Sequence, residues 1–289
     1  MLRRLGLPLA LVIALTATFG AHAAMQGSPA AAASKTITLG NIGWDEDVAV
    51  NNVAALVLHQ KYGYTVNLKM ADAGPLYLGV ATGQIDGFMD TWLPKTQAIY
   101  WSKYKNKLTK LHPWFTGANI GLAVPNYVHA KSIADLSKMS SQLGGKITGI
   151  EAGAGEMHLV QTKVIPGYHL PYTLQDASTP AMLAALQSAI KHQKPIVVTL
   201  WKPHWAFTQY PIRYLSDPKH LMSGAENLSP IVRKGLAKSD PQAYKLLNHM
   251  RFTEPQLGAL EVDIRAKGAV GGAQYWMSKN HMVVNSWLK

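Results

Sequence analysis

Apolar positions along the chain change period several times. Short runs rich in Val, Ile, Leu and Thr, at 36–39, 64–70, 87–90, 120–124, 146–150 and 195–200, have the length and composition of strands. Helical patterns lie between them. The clearest opens with Thr179 as N-cap and Pro180 at its first position, and Met182, Ala185, Leu186, Ala189 and Ile190 then recur on one face. Further helices are expected after Asp45, Asp240 and Thr253, the second entered through Pro241, and the chain beyond about Ser216 reads as predominantly helical. This alternation predicts an α/β fold with mainly parallel sheets. No internal repeat of a solenoid kind is present.

The first residues read differently. Arg3 and Arg4 precede an apolar run from Leu7 to about Phe19 and then Ala21-His22-Ala23, the layout of a cleavable signal peptide over residues 1–23. The run is shorter than the roughly 20 apolar residues a membrane span needs. Residues 24–34, rich in Ala, Ser and Pro, read as a disordered lead-in. The mature chain is therefore expected to be soluble and periplasmic.

Cysteine is absent, which excludes disulfides, a thiolate nucleophile, zinc-thiolate sites and a cysteine-borne lipid anchor. The remaining length is ample for two lobes of roughly 100 to 150 residues. The formal charge of +12 falls by two if Arg3 and Arg4 are removed. Its basic residues are scattered, and no nucleic-acid module pattern occurs, so the charge reads as a solvated surface. The histidines show no metal-ligand spacing, and neither a metal nor a cofactor is expected.

Candidate chemistry gathers at predicted strand ends. Trp44 stands in Gly43-Trp44-Asp45-Glu46, Trp92 in Asp90-Thr91-Trp92-Leu93-Pro94 and Trp201 in Trp201-Lys202-Pro203-His204-Trp205. Ligands of open α/β sheets bind beside the carboxyl ends of strands. A permanent cation without N–H donors is held by π-faces, packing and field, and tryptophans at strand ends can supply all three. Trp101, Trp114, Trp276 and Trp287 read as core. Glu151-Ala152-Gly153-Ala154-Gly155-Glu156-Met157-His158 follows a predicted strand and imitates a dinucleotide fingerprint, with His158 where the third glycine belongs. Its backbone amides could still take an anion at Gly155 and Glu156, or the segment is an ordinary strand-to-helix turn.

The runs Gly43-Trp44-Asp45-Glu46-Asp47-Val48-Ala49-Val50, Asp72-Ala73-Gly74-Pro75-Leu76-Tyr77, Asp90-Thr91-Trp92-Leu93-Pro94 and Thr199-Leu200-Trp201-Lys202-Pro203-His204-Trp205 closely resemble the glycine betaine/proline betaine substrate-binding proteins of ABC transporters. The resemblance spans about residues 36 to 288. It implies a two-lobed type II periplasmic-binding fold with a hinge and interlobe cleft, lobe 1 being 35–120 plus 210–289 and lobe 2 being 121–209. It also implies a non-catalytic protein, a monomer, that delivers a quaternary-ammonium solute to a permease in the inner membrane. Trp44, Trp92 and Trp201 would form the cage and the amides of Gly155 and Glu156 would hold a carboxylate.

Gln97 stands where betaine binders of this family often carry a histidine, and can donate through its amide without bringing charge. Choline binders resembling this chain use a tyrosine and an asparagine at the positions of Ile120 and Ala154, so glycine betaine is the first expectation. Glu46 matches an acidic residue of choline binders, or serves only the N-terminus of its helix. His204 either lines the cleft or braces Trp201. Carnitine, choline and dimethylsulfoniopropionate remain alternatives within the fold. A secreted hydrolase is the alternative from another class, although Gly-x-Ser-x-Gly, His-Glu-x-x-His and Walker A sequences are all missing.

Overall fold

In the computed structural model residues 35–222 and 224–289 are described, so the signal-peptide reading of 1–23 and the lead-in of 24–34 lie outside the described residues. Strand β1 (Thr36–Asn41), helix α1 (Asp45–Tyr62) and strand β2 (Thr65–Met70) open the chain, with β1 and β2 parallel from Thr36 opposite Thr65 to Asn41 opposite Met70. Gly43, at φ +89°, makes the turn between β1 and α1. That conformation suits glycine because a side chain there meets backbone sterics. α2 (Ala73–Thr82) leads to β3 (Gly87–Leu93), buried along its whole length and parallel to β1.

α3 (Ala98–Tyr104) and β4 (Leu108–Lys110) precede the long strand β5 (Phe115–Pro125). Then follow β6 (Lys146–Thr148) and α4 (Gly155–Leu159), which continues through a π-turn at Val160–Val164 into α5 (Ile165–Gly167). β7 (Thr173–Gln175), α6 (Thr179–Lys191), β8 (Val198–Lys202), α7 (Ala206–Gln209) and β9 (Ile212–Tyr214) come next. The chain ends with β10 (Glu226–Arg233), α8 (Leu236–Ser239), α9 (Pro241–His249), α10 (Glu254–Lys267), α11 (Ala269–Lys279) and α12 (His281–Ser286).

The strands run β2-β1-β3-β10-β5-β8-β6-β7, with β4 added beside β10 and β9 beside β5. β5 joins the two halves of this array. Its first residues, Phe115 to Ala118, pair with β10, and Asn119 to Ala123 pair with β8. Ile120 thereby sits opposite Trp201, and Leu228 of β10 sits opposite Trp92. On the first half, α9, α10 and α11 pack on α1.

Several expectations need correcting. The sheet is mixed rather than mainly parallel, because β10 runs antiparallel to β3, β4 and β5, and β5 runs antiparallel to β8 and β9. The region after Ser216 is not helical throughout, since it contributes β10 to the middle of the sheet. Pro230 hid that strand: proline cannot donate to a ladder, and the structure accommodates it at a register shift between Ser229 and Ile231. The best helix starts one residue earlier than expected, with Ser178 as N-cap accepting from Ala181 N–H and Thr179 already helical. The helices entered through Pro241 and after Thr253 are as expected, the latter with a capping box to Gln256. Among the described residues no helix is long and apolar enough to cross a membrane.

Candidate ligand-binding site

The three strand-end tryptophans come from separate elements: Trp44 is the N-cap residue of α1, Trp92 the penultimate residue of β3 and Trp201 the penultimate residue of β8. Fold topology brings them together. With Thr96, Ile120, Ile150 and Glu156 they line a small cavity. The indoles are only 4%, 1% and 2% exposed, so the space they enclose is shielded from water. Trp44 and Trp201 lie 5.8 Å apart between centroids, tilted by 44°.

Each indole is fixed through its N–H to a carboxyl group. Trp44 donates to Glu151 Oε2 at 3.2 Å, Trp92 to Asp90 Oδ2 at 3.2 Å, and Trp201 to Glu46 Oε2 at 2.7 Å. Carboxyl oxygens at the ring edges take the indole N–H groups and leave the π-faces free for a cation.

The acids behind the rings are buried. Glu46 is held well above the usual carboxylate range by burial, and then by Asp90 and Glu261. Burial pushes Asp90 to about 7 against the hydrogen bonds from Trp92 and Glu46. Asp47 is raised by burial and by Asp90, while the amides of Ile42 and Gly43 and the Asn51 side chain act against the shift. Burial also raises Glu156 well above the ordinary value, partly offset by the backbone amides of Leu200 and Gly121, and neither of its oxygens completes a hydrogen bond.

The N-terminus of α4 forms one wall. The first amides of a helix have no intrahelical partner, and Gly155 and Glu156 occupy that position. Gly155 is required by a close approach: a Cβ there would lie 2.0 Å from the Thr96 carbonyl oxygen. The segment after Trp92 is thus pressed against the start of α4.

The remaining candidates sit around the cavity rather than on it. Gln97 is fully buried, and its Oε1 accepts from Tyr77 Oη–H at 3.0 Å and from Trp92 N–H at 3.2 Å, which braces the turn carrying Trp92. His204 packs edge-on against Trp201 at 4.9 Å. Its Nδ1 accepts from Ala206 N–H, which leaves the proton on Nε2, 3.2 Å from Asp45 Oδ2. Glu46 meets the site through Trp201. Trp205 lies further back, with the Arg265 guanidinium 3.2 Å over its ring and its backbone N–H on Glu261. Thr96 and Ile150 went unremarked in the sequence, and their only signal there is proximity to Trp92 and to the glycine turn. The described residues contain no group of His, Asp or Glu able to hold a metal ion.

Residues 35–279 match the substrate binding domain of ABC-type glycine betaine transport systems, the OpuAC family. The chain belongs to this family.

Among OpuAC relatives, the glycine betaine/carnitine transport binding protein GbuC of Listeria monocytogenes is 37% identical over 177 residues, 60% of this chain and 57% of that protein. The match therefore spans little more than half the length of that relative. Lactococcal OpuAC, solved in a closed-liganded conformation with glycine betaine, superposes with TM-score 0.83 at 37% identity over 89% of this chain and all of that one. The glycine betaine/L-proline-binding protein ProX of Borrelia burgdorferi gives TM-score 0.84 at 32% identity over 88% of this chain and 97% of its own. The α/β fold is that of type II periplasmic binding proteins.

Proposed function

We propose that this OpuAC-family chain captures a quaternary-ammonium solute, glycine betaine first, and presents it to an ABC-transporter permease, without chemical conversion. Export by residues 1–23 and residence in the periplasm belong to the same reading. One observation carries it: Trp44, Trp92 and Trp201 arrive from distant parts of the chain to wall a single shielded cavity. Trimethylammonium fits such a wall because it needs π-faces and no acceptor. The unpaired amides of Gly155 and Glu156 are suited to the carboxylate at the other end.

The site is read as split between two lobes. Pairing supports a first crossing inside β5, while the pairing of Ile212 to Tyr214 with Val124 and its neighbours favours a return after β9 rather than at residue 210. On this division Trp44 to Glu151, Trp201 to Glu46, His204 to Asp45 and Tyr100 Oη–H to the Gly153 carbonyl at 2.7 Å all cross the cleft. These contacts are those a closed arrangement would make.

The acidic surroundings favour a second reading, a cation lacking a carboxylate such as choline, since Glu156 stands on the wall with Glu46 and Asp90 behind it. Calorimetry with glycine betaine, proline betaine, carnitine, choline and dimethylsulfoniopropionate decides between them. Glycine betaine is expected to bind more tightly than choline and to be recovered unchanged after prolonged incubation. Tighter choline binding would move the assignment to the second reading, and no binding of any of the five would remove both.

A further inference from the structure

Glu151 stands outside the cavity wall, in the loop between β6 and α4, yet its carboxylate is engaged on both sides. Oε1 accepts from Thr179 N–H at 2.7 Å and Oε2 accepts from Thr179 Oγ1–H at 2.9 Å. Thr179 is the first residue of α6, so Glu151 satisfies an amide that has no partner within the helix and places negative charge at the positive end of the helix dipole. Anchored in this way, Oε2 also takes Trp44 Nε1–H at 3.2 Å.

A counterpart exists on the other side of the cavity. Glu46, in the first turn of α1, takes Trp201 Nε1–H at 2.7 Å. Each half of the molecule therefore offers one carboxyl group, seated at a helix N-terminus, to a cavity tryptophan of the other half. The two bonds are not equivalent. Glu46 is fully buried, whereas Glu151 is partly exposed and its bond to Trp44 is the longer. A longer bond within reach of water is the one that opens first when the halves separate.

We propose that Glu151 is a positioning residue of the cage, holding the Trp44 ring against the ligand only while the halves are closed and thereby slowing ligand release. The inference rests on the split-cage reading above. Opening moves Trp44 away from α6 and breaks its bond to Glu151, while the anchor to Thr179 stays intact. The carboxylate thus waits in place for the next closure, at no cost in its own ordering. Its effect belongs on dissociation rather than on encounter, as is usual for a bond formed after docking.

The test is stopped-flow binding of glycine betaine, followed by tryptophan fluorescence, on wild type, Glu151→Ala, Glu151→Gln, Trp44→Phe and the Glu151→Ala/Trp44→Phe double variant. Glu151→Ala is expected to raise the dissociation rate about three- to tenfold, the size of one partly exposed hydrogen bond, with the association rate changed less than about twofold. In the Trp44→Phe background, which lacks the indole donor, the same substitution should add nothing. Proton NMR supplies a second readout: the Trp44 indole N–H resonance should move downfield on saturation with glycine betaine in wild type, fail to do so in Glu151→Ala, and recover part of the shift in Glu151→Gln, whose amide oxygen still accepts.

An unchanged dissociation rate with a lowered melting temperature would show Glu151 to be a helix cap only, and overturn the proposal. An equal rise in both Trp44 backgrounds would do the same. If wild type fails to bind glycine betaine or any other quaternary ammonium, the cage reading fails and this inference with it, a result distinct from wild-type binding with an indifferent Glu151.

Discussion

Two tryptophan clusters in this molecule share composition and burial and differ in everything else. Around the cavity, Trp44, Trp92 and Trp201 direct their indole N–H groups to carboxyl groups and leave a small space between them. Within the first half, Trp114, Trp276 and Trp287 pack around Phe252, with centroids 6.0, 5.6 and 5.1 Å from its ring. There Trp114 donates to the Met89 carbonyl at 2.7 Å and Trp276 to the Gln256 carbonyl at 3.0 Å. The lesson is in the partners. A backbone carbonyl satisfies a buried donor cheaply, and the rings fill space with each other. A carboxyl group is costly to bury, and a cavity left open forfeits contacts, so an arrangement with both features is built for something that arrives later.

The strongest way to break this comparison is to truncate a ring in the filled cluster. Trp276→Ala should cost about 3 to 5 kcal/mol of stability, as buried aromatic truncations do, and leave betaine affinity within about twofold in protein that remains folded. Urea unfolding and calorimetry on the same sample check both halves of that statement, and a large affinity loss would erase the distinction between the clusters.

Gly155→Ala comes next. Its Cβ would collide with the Thr96 carbonyl, so the segment after Trp92 and the start of α4 must part, at about 1 to 3 kcal/mol by the scale of overpacking. Ligand affinity should fall with it, and X-ray scattering of the saturated variant should show a larger radius of gyration than wild type. An equally compact complex would mean that this contact is not part of closure.

Removing one cage ring should do more to the ligand than removing a ring of the filled cluster. Trp44→Ala, Trp92→Ala and Trp201→Ala are each expected to weaken glycine betaine binding by at least about 1 kcal/mol, the scale of a desolvated cation–π contact. Wild-type affinity in all three would end the cage reading.

A separate effect is on pH. Asp90 is pushed from 3.8 to about 7 and Glu261 from 4.5 to about 8, chiefly by burial. Between those ordinary and folded values the native state keeps protons that the unfolded chain releases. Their contribution is fully present below pH about 4 and is lost as pH rises to about 8. Melting temperature should therefore fall across this window, and Asp90→Asn should flatten the slope. A slope unchanged by that substitution would show that Asp90 is ionised in the folded protein throughout.

The comparison also shows how differently the two clusters could be read in advance. Trp44, Trp92 and Trp201 were separable from the other tryptophans because glycine, proline and acidic residues flank them at the ends of β-type runs. Those flanks are local and survive in one dimension. The helix starts at Pro241 and Thr253 were legible for the same reason, since a cap is chemistry between neighbours. β10 was not legible. Its residues from Leu228 to Val232 are all buried, Pro230 among them, and only its place between β3 and β5 makes it a strand.

Sequence by itself determined the class of the fold and singled out the three rings that meet at one cavity, because propensity, capping and turn chemistry act within a few residues. Tertiary structure alone decided that Glu151 meets Trp44 across 107 positions and Glu46 meets Trp201 across 155. It also decided that Gln97 and His204 brace the rings from behind. Such pairings depend on where β5 carries the chain from one half to the other, and no local pattern records the direction in which a strand leaves its sheet.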